Sequence, residues 1–506
     1  MVRQDKKNKQ PFTMIIFGAS GDLTKRKLMP ALYELFKDDR LDSGFSIVGV
    51  GRSEYSDEAF QAYQTEQLKE FVADEELDKT LMNEFVNHLH YVAMDSANAD
   101  DYPLLLEKLQ EITGEKQPSH LLFYLATPPS LYGKIPLHLK KVNLNQSGAR
   151  IIVEKPFGYD LQSAQELNEI YASVFEEEQI YRIDHFLGKE TAQNILAFRF
   201  ANCIFEPIWN RNYIDYVEVT AVESLGIEKR GGFYDGVGAL RDMVQNHLIQ
   251  LVALTAMEPP VRFNADGFRN EVVKVYDSLR PLTDEDFEEH VVRGQYIREG
   301  NKPGYREEEN VPSTSRTETY IAMKIGIENW RWSGVPFYIR TGKALPTKVT
   351  EIVVHFKKTP YQMFQCNEGD CPDANKLIIR IQPNEGIVLR FGMKKPGTGF
   401  DVKSVSMDFT YDKLGDVSIG DAYARLLEDC IQGDQTLFTR SDAVESSWRF
   451  FAPLLDYWKE NEDAPLYGYP VGTWGPLESE AMMNDHDATW TNPCKNLTNT
   501  DQYCEL

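Results

Sequence analysis

Between Thr13 and about His185, short apolar runs alternate with longer stretches of helical periodicity. The runs are TMIIF at 13–17, FSIVGV at 45–50, LHYVAM at 89–94, HLLFYLA at 120–126, ARIIVE at 149–154 and IYRI at 180–183. Apolar residues spaced for a helix fill 28–39, 58–72 and 161–178. Strand-like runs that alternate with helices predict βαβ units, hence a parallel, doubly wound sheet.

Beyond Phe198 the texture changes. Strand-like runs follow one another at 216–222, 319–330, 336–342, 351–356, 377–382, 386–391 and 405–411 with little helix between them. Successive strands without crossover helices predict a large, mostly antiparallel sheet. Helical patterns flank it at 239–257, 421–431 and 441–460. The chain therefore reads as a doubly wound, Rossmann-like α/β domain over 1–184, followed by a larger α+β domain over 185–506. Its polar tail after about residue 478 reads as irregular.

Length agrees with this division, since 506 residues exceed what one core of about 100 to 200 residues supports. The charge is −24, from 54 Lys+Arg against 78 Asp+Glu, which opposes binding to nucleic acid or anionic lipid. Clusters of Lys, Arg and His in so acidic a chain are therefore informative. The six cysteines show no CxxC spacing, which fits reduced cytoplasmic thiols rather than a zinc site or disulfide framework. No apolar stretch approaches the roughly 18 residues of a spanning helix. His88 and His90 have no third ligand nearby in sequence, and no metal site is expected.

Chemistry-bearing residues gather at the ends of the predicted parallel strands. TMIIF runs into Gly18, Ala19, Ser20, Gly21, Asp22 and Leu23 before a helix, a turn that lets the backbone approach a pyrophosphate. At the end of the second strand stands Arg52, where an acidic residue would select NAD; arginine suits the 2′-phosphate of NADP, the alternative being a solvated surface residue. The fifth strand ends in Glu154-Lys155-Pro156, placing Lys155 at the sheet's carboxyl edge, and Pro156 suits a cis bond. His185 and Lys189 in RIDHFLGKE form a candidate phosphate clamp beside Asp184. His247, in RDMVQNHL, shares a helical face with Met243 and Leu251 at α-helical spacing, which allows a core histidine. A buried imidazole paired with a carboxylate is also what a general base requires, with Asp184 the candidate orienter. Glu223, Arg230, Asp242, Lys343 and Lys348 supply polar groups for sugar hydroxyls and phosphate.

Taken together, GASGDL at 18–23, EKPFG at 154–158, RIDHFLGKE at 182–190, RDMVQNHL at 241–248 and RTGKAL at 340–345 resemble the glucose-6-phosphate dehydrogenase family in order and over nearly the whole chain. The resemblance implies oxidation of β-D-glucose 6-phosphate at C1, with hydride passing to NADP, as the first step of the oxidative pentose phosphate pathway. It implies His247 as general base, Asp184 as its carboxylate partner, and His185, Lys189 and Lys348 at the substrate phosphate. Glu223, Asp242, Lys343 and Gln382 fall on sugar contacts, Lys155 bridges sugar and coenzyme, and Gly18, Ser20, Gly21, Asp22 and Arg52 fall on the coenzyme fingerprint. A homodimer or homotetramer through the second domain is implied as well. Two positions depart from the pattern. Phe186 replaces a tyrosine, which predicts weaker substrate binding without loss of catalysis, and Val349 replaces a basic residue where some members hold a second, structural NADP. Two other readings stand beside this one: a sugar dehydrogenase of the glucose-fructose oxidoreductase type, and a catalytically silent NADP-binding sensor.

Overall fold

Six strands form the first sheet: β1 (Thr13–Phe17), β2 (Ser46–Gly51), β3 (Leu89–Ala93), β4 (Leu121–Leu125), β5 (Arg150–Val153) and β6 (Ile180–Arg182). They pair in the order β3-β2-β1-β4-β5-β6, all parallel. This is the doubly wound arrangement, whose order reverses between β1 and β4. Every residue of β1 and β4 is buried, which is why both read as unbroken apolar runs. In the computed structural model, residues 10–361, 363–364, 374–397, 399–411, 421–483 and 488–493 are described.

The connecting helices begin where side chains satisfy backbone N–H groups. Ser56 accepts from Ala59 N (3.2 Å), Asp78 from Thr80 N (2.7 Å) and Leu81 N (3.0 Å), and Asp160 and Ser163 close a capping box. The core beneath them includes Phe17, Val50, Leu105, Phe123 and Val153. Helices at Lys79–Val86, Tyr102–Thr113 and Lys134–Lys141 lie outside the stretches that periodicity singled out.

The second sheet has nine strands: β7 (Ile214–Val222), β8 (Val291–Ile297), β9 (Tyr320–Gly326), β10 (Pro336–Gly342), β11 (Val349–Phe356), β12 (Lys376–Gln382), β13 (Gly386–Lys394), β14 (Val402–Thr410) and β15 (Tyr467–Pro470). Their order is β14-β13-β12-β11-β7-β10-β9-β8-β15. Pairing is antiparallel except between β7 and β10 and between β8 and β15, so the sheet is mixed but mostly antiparallel. Its core includes Tyr216, Val222, Tyr320, Tyr338 and Val349. Residues 488–493 are irregular yet anchored to this sheet. Trp490 Nε1 donates to Ser479 O (2.9 Å), and the buried Glu218 carboxylate accepts from both Thr491 N and Thr491 Oγ1, each at 2.8 Å.

The chain divides into two compact units. One holds the described residues up to Gly188, Arg262–Arg269 and those from 421 to Glu445; the other holds Lys189–Val261, the described residues from 270 to 411, and those from Ser446 onward. No helix among the described residues is long and apolar enough to cross a membrane.

Candidate active site

In the first unit the glycine turn leaves β1 at the point where the strand order reverses, the place where open α/β sheets bind ligands. Gly18 has φ +88°, and a Cβ there would lie 2.2 Å from the carbonyl oxygen of Ala126, just past β4. Its N–H and that of Ala19 both donate to Val50 O (2.9 and 3.1 Å), which draws the end of β2 against the turn. Thr24 Oγ1 donates to Gly18 O (3.0 Å), and Gln64 Nε2 to Ala19 O (3.2 Å). These bonds hold Ser20 and Gly21 in place. Asp22 is exposed and pairs along its own helix with Arg26 Nε (2.8 Å) and Lys25 Nζ (3.6 Å). Arg52 is exposed just beyond β2.

Lys155 follows the buried Glu154, through a Lys155–Pro156 bond that is cis. Burial pushes the Glu154 carboxyl up, against the opposing influence of Tyr124, Lys155 and Tyr423. Tyr124 donates its hydroxyl to Glu154 at 2.5 Å, and Tyr423 also hydrogen-bonds this carboxylate. The Tyr423 ring lies parallel to that of His185, with centroids 6.4 Å apart. Asp184 is buried; its Oδ1 accepts from Phe186 N (2.9 Å) and its carbonyl from Leu187 N (3.0 Å), an Asx turn that shapes the DHFL segment. Phe186 is buried as well.

In the second unit, residues far apart in sequence converge on Lys343. This side chain is buried, and its ammonium pairs with Glu223 and with Asp242 (3.4 Å) while lying 5.6 Å above the ring of Tyr234. Its backbone is fixed on both sides: Lys343 N donates to Thr319 O (2.9 Å), and Tyr469 donates its hydroxyl to Lys343 O (2.7 Å). Glu223 follows β7, where its N–H donates to Gly342 O (3.0 Å), so the parallel β7–β10 pair aligns the two residues. Lys189 donates to Gln382 Oε1, whose amide nitrogen donates to Thr350 Oγ1 (3.1 Å). Lys348 is exposed before β11, whereas Val349 is fully buried as its first residue. Arg230 is exposed on a single 3₁₀ turn.

His247 is buried on a segment, Leu240–Leu248, that is not α-helical. It is wound with wide, i→i+5 turns and continues into an α-helix at Ile249–Ala256. The wider turn brings residues five apart closer to one face, so Asp242 and His247 draw together. In an α-helix they would point about 140° apart.

Residues 15–194 match the family model for glucose-6-phosphate dehydrogenase, NAD binding domain, and residues 196–491 that for glucose-6-phosphate dehydrogenase, C-terminal domain. The chain belongs to the glucose-6-phosphate dehydrogenase family. It is similar to glucose-6-phosphate 1-dehydrogenase of Aggregatibacter actinomycetemcomitans, at 51% identity over 95% of this chain and 97% of the relative. The Bacillus subtilis (strain 168) enzyme of that name is 41% identical over 96% and 100% of the two chains. Among solved structures, a glucose-6-phosphate dehydrogenase in complex with its substrate glucose-6-phosphate superposes with a TM-score of 0.87 at 38% identity, covering 96% of this chain and 99% of the other. Glucose-6-phosphate 1-dehydrogenase from Mycobacterium avium gives 0.83 at 36%, covering 96% and 98%. Within the family frame, GASGDL, EKPFG and RIDHFLGKE lie in the NAD binding part, and RDMVQNHL and RTGKAL in the C-terminal part.

Several residues at these motifs escaped the sequence reading. The buried Glu154 and Tyr124 and the half-buried Tyr423 form one group drawn from three distant parts of the chain, and no local spacing links them. Glu318 is buried before β9 and accepts from Leu240 N (3.1 Å), while its carbonyl accepts from Ala239 N (3.0 Å), so it caps the wide-turned segment. Burial pushes its carboxyl up, with the Leu240 N–H, Arg241 and Arg293 acting the other way. Asn246 carried a signal, since asparagine inside a helix competes for backbone bonds.

Proposed function

We propose that the protein oxidises β-D-glucose 6-phosphate at C1 to 6-phosphoglucono-1,5-lactone with NADP, the first step of the oxidative pentose phosphate pathway, in the cytoplasm. The observation that carries this is the grouping of the buried Lys343 with Glu223 and Asp242, on the segment that also presents His247. One cation and two carboxylates can bind several sugar hydroxyls directionally, and an adjacent imidazole can take the proton of the one being oxidised. Lys343→Met should reduce kcat/KM for the sugar phosphate by roughly 10- to 100-fold, the equivalent of about 1.5–3 kcal/mol for charged hydrogen bonds. Steady-state kinetics that leave kcat/KM unchanged would remove Lys343 from the site.

The residues at the glycine turn fit a dinucleotide. A side chain at Gly18 would run into Ala126 O and distort the turn, and Arg52 is exposed beyond β2 to meet a 2′-phosphate. Gly18, Ser20, Gly21 and Asp22 would hold the coenzyme with Arg52 and Lys155, and its nicotinamide supplies the hydride acceptor when bound. His247 removes the C1 hydroxyl proton, and Asp184 is the carboxylate that offsets the resulting imidazolium charge. His185, Lys189 and Lys348 bind the phosphate, Gln382 acts with Lys189, and Lys155 serves both ligands. Residues 1–184 form the coenzyme domain in this reading and 185–506 the substrate and oligomerisation domain. The long β13–β14 hairpin at the sheet edge exposes Met393 and Met407, which favours assembly into a dimer or tetramer through that domain.

The direct test is the near-ultraviolet absorbance of reduced nicotinamide, followed with glucose 6-phosphate or free glucose and with NADP or NAD. Turnover should require the phosphate and prefer NADP; equal rates on free glucose would overturn the substrate assignment. Arg52→Ala should raise the NADP KM by roughly 10- to 100-fold, as expected for lost charge-assisted bonds, with little change for NAD. Equal effects on both coenzymes would leave Arg52 without a role in selectivity.

A further inference from the structure

The winding of Leu240–Leu248 decides where Asp242 and His247 point, and a wide-turned segment of this length needs something to hold it against the tighter α-helix. Its N-terminal end is pinned by Glu318, whose carboxylate accepts from Leu240 N at 3.1 Å, and Ser447 Oγ donates to Gln245 O at 2.7 Å. Neither contact spans the turn between the two functional residues. The carboxamide of Asn246 does. Its Nδ2 donates to Arg241 O (2.9 Å), five residues back, and its Oδ1 accepts from His247 N (2.6 Å). One short side chain is thereby bonded to the backbone on both sides of the wide turn between Asp242 and His247.

We propose that Asn246 is a positioning residue for the reaction: its carboxamide stabilises the wide turn and so keeps His247 and Asp242 close to one face. The proposal rests on the reading of His247 as the general base. Two features of asparagine are needed. Its donor matches the Arg241 carbonyl, and its acceptor matches the His247 N–H at the shortest side-chain reach that serves both. Without it, Arg241 O and His247 N lose side-chain bonds made in the wide winding, and tightening to i→i+4 bonding would swing Asp242 and His247 apart. A misplacement of about 1 Å in a catalytic group is enough to cost on the order of 10²-fold in rate.

The test compares Asn246→Ala, Asn246→Asp and His247→Asn in the full-length enzyme, with kcat, both KM values, the pH dependence of kcat and the thermal midpoint measured for each. Asn246→Ala should lower kcat by roughly 10- to 100-fold and displace the acid limb of the kcat profile, because the environment of the imidazole changes. The NADP KM should stay within about twofold of wild type. Asn246→Asp keeps the acceptor for His247 N and loses the donor to Arg241 O; it should fall between wild type and Asn246→Ala. If Asn246→Ala does not fold, Asn246→Asp decides by the same two readings. A lower thermal midpoint with kcat and its pH profile unchanged would show a merely structural residue and overturn the proposal. If His247→Asn retains wild-type kcat, the general-base reading fails and this proposal with it. If His247→Asn collapses while both Asn246 variants turn over normally, the proposal alone fails.

Discussion

His247→Asn is expected to lower kcat by roughly 10² to 10⁴ while leaving substrate KM within a fewfold of wild type. The reason lies in what an alcohol oxidation demands. As hydride leaves C1, the hydroxyl proton must leave too, and a neutral imidazole accepts it with a pKa near working pH. Asparagine keeps a polar, planar side chain of smaller volume at a site that is 1% exposed, so the cavity it leaves is modest and the fold should survive. It has no basic nitrogen. The groups proposed to bind the sugar, Lys343, Glu223 and Asp242, are untouched, so KM should change far less than kcat. A kcat near wild type would make His247 a packing residue and move the general base elsewhere.

Gly18→Ala should be the most damaging substitution in the coenzyme unit. Two separate costs add. A φ of +88° is unfavourable for any residue with a Cβ, by about 1–2 kcal/mol. The new methyl would also sit 2.2 Å from the oxygen and 2.9 Å from the carbon of the Ala126 carbonyl. Those are backbone atoms, so relief requires the ends of β1 and β4 to separate at Phe17 and Leu125, whose Cα positions are paired in the sheet. The same separation opens the turn where the coenzyme would bind. Expected results are a loss of at least about 2 kcal/mol in unfolding free energy and at least about a tenfold weaker NADP affinity. Gly114→Ala is the matched control. It has φ +69° and nothing within 4 Å of the added Cβ, so it carries only the conformational cost and should leave NADP binding intact. Equal destabilisation by both substitutions would mean that the approach to Ala126 is unimportant.

How much of the site could be read from the chain depended on sequence distance. The glycine turn, Lys155 after the fifth strand and the His185–Lys189 segment were all recognisable because each is a few residues beside a strong strand pattern. Lys343, Glu223 and Asp242 were recognisable as candidates but not as one ion cluster. Their meeting requires β7 to lie between β11 and β10, with β7 and β10 parallel, and no local pattern states that pairing. The group Glu154, Tyr124 and Tyr423 was invisible for the same reason. The wide winding was missed differently: the apolar spacing of 239–257 fits an α-helix well, and the departure is held by polar contacts of Asn246, Glu318 and Ser447 that leave no mark on hydrophobic periodicity.

By itself, the sequence determined the division into a parallel-sheet unit and a mostly antiparallel one, the glycine turn and the set of chemistry-bearing motifs. These are local properties, written in strand-length apolar runs and in residues whose backbone or charge suits one task. Tertiary structure alone decided the order of the nine-stranded sheet, the burial of Lys343 between two carboxylates and the wide winding of the segment that carries Asp242 and His247. Those depend on strand pairing and side-chain-to-backbone bonds between distant segments, whose energies exist only once the chain has folded.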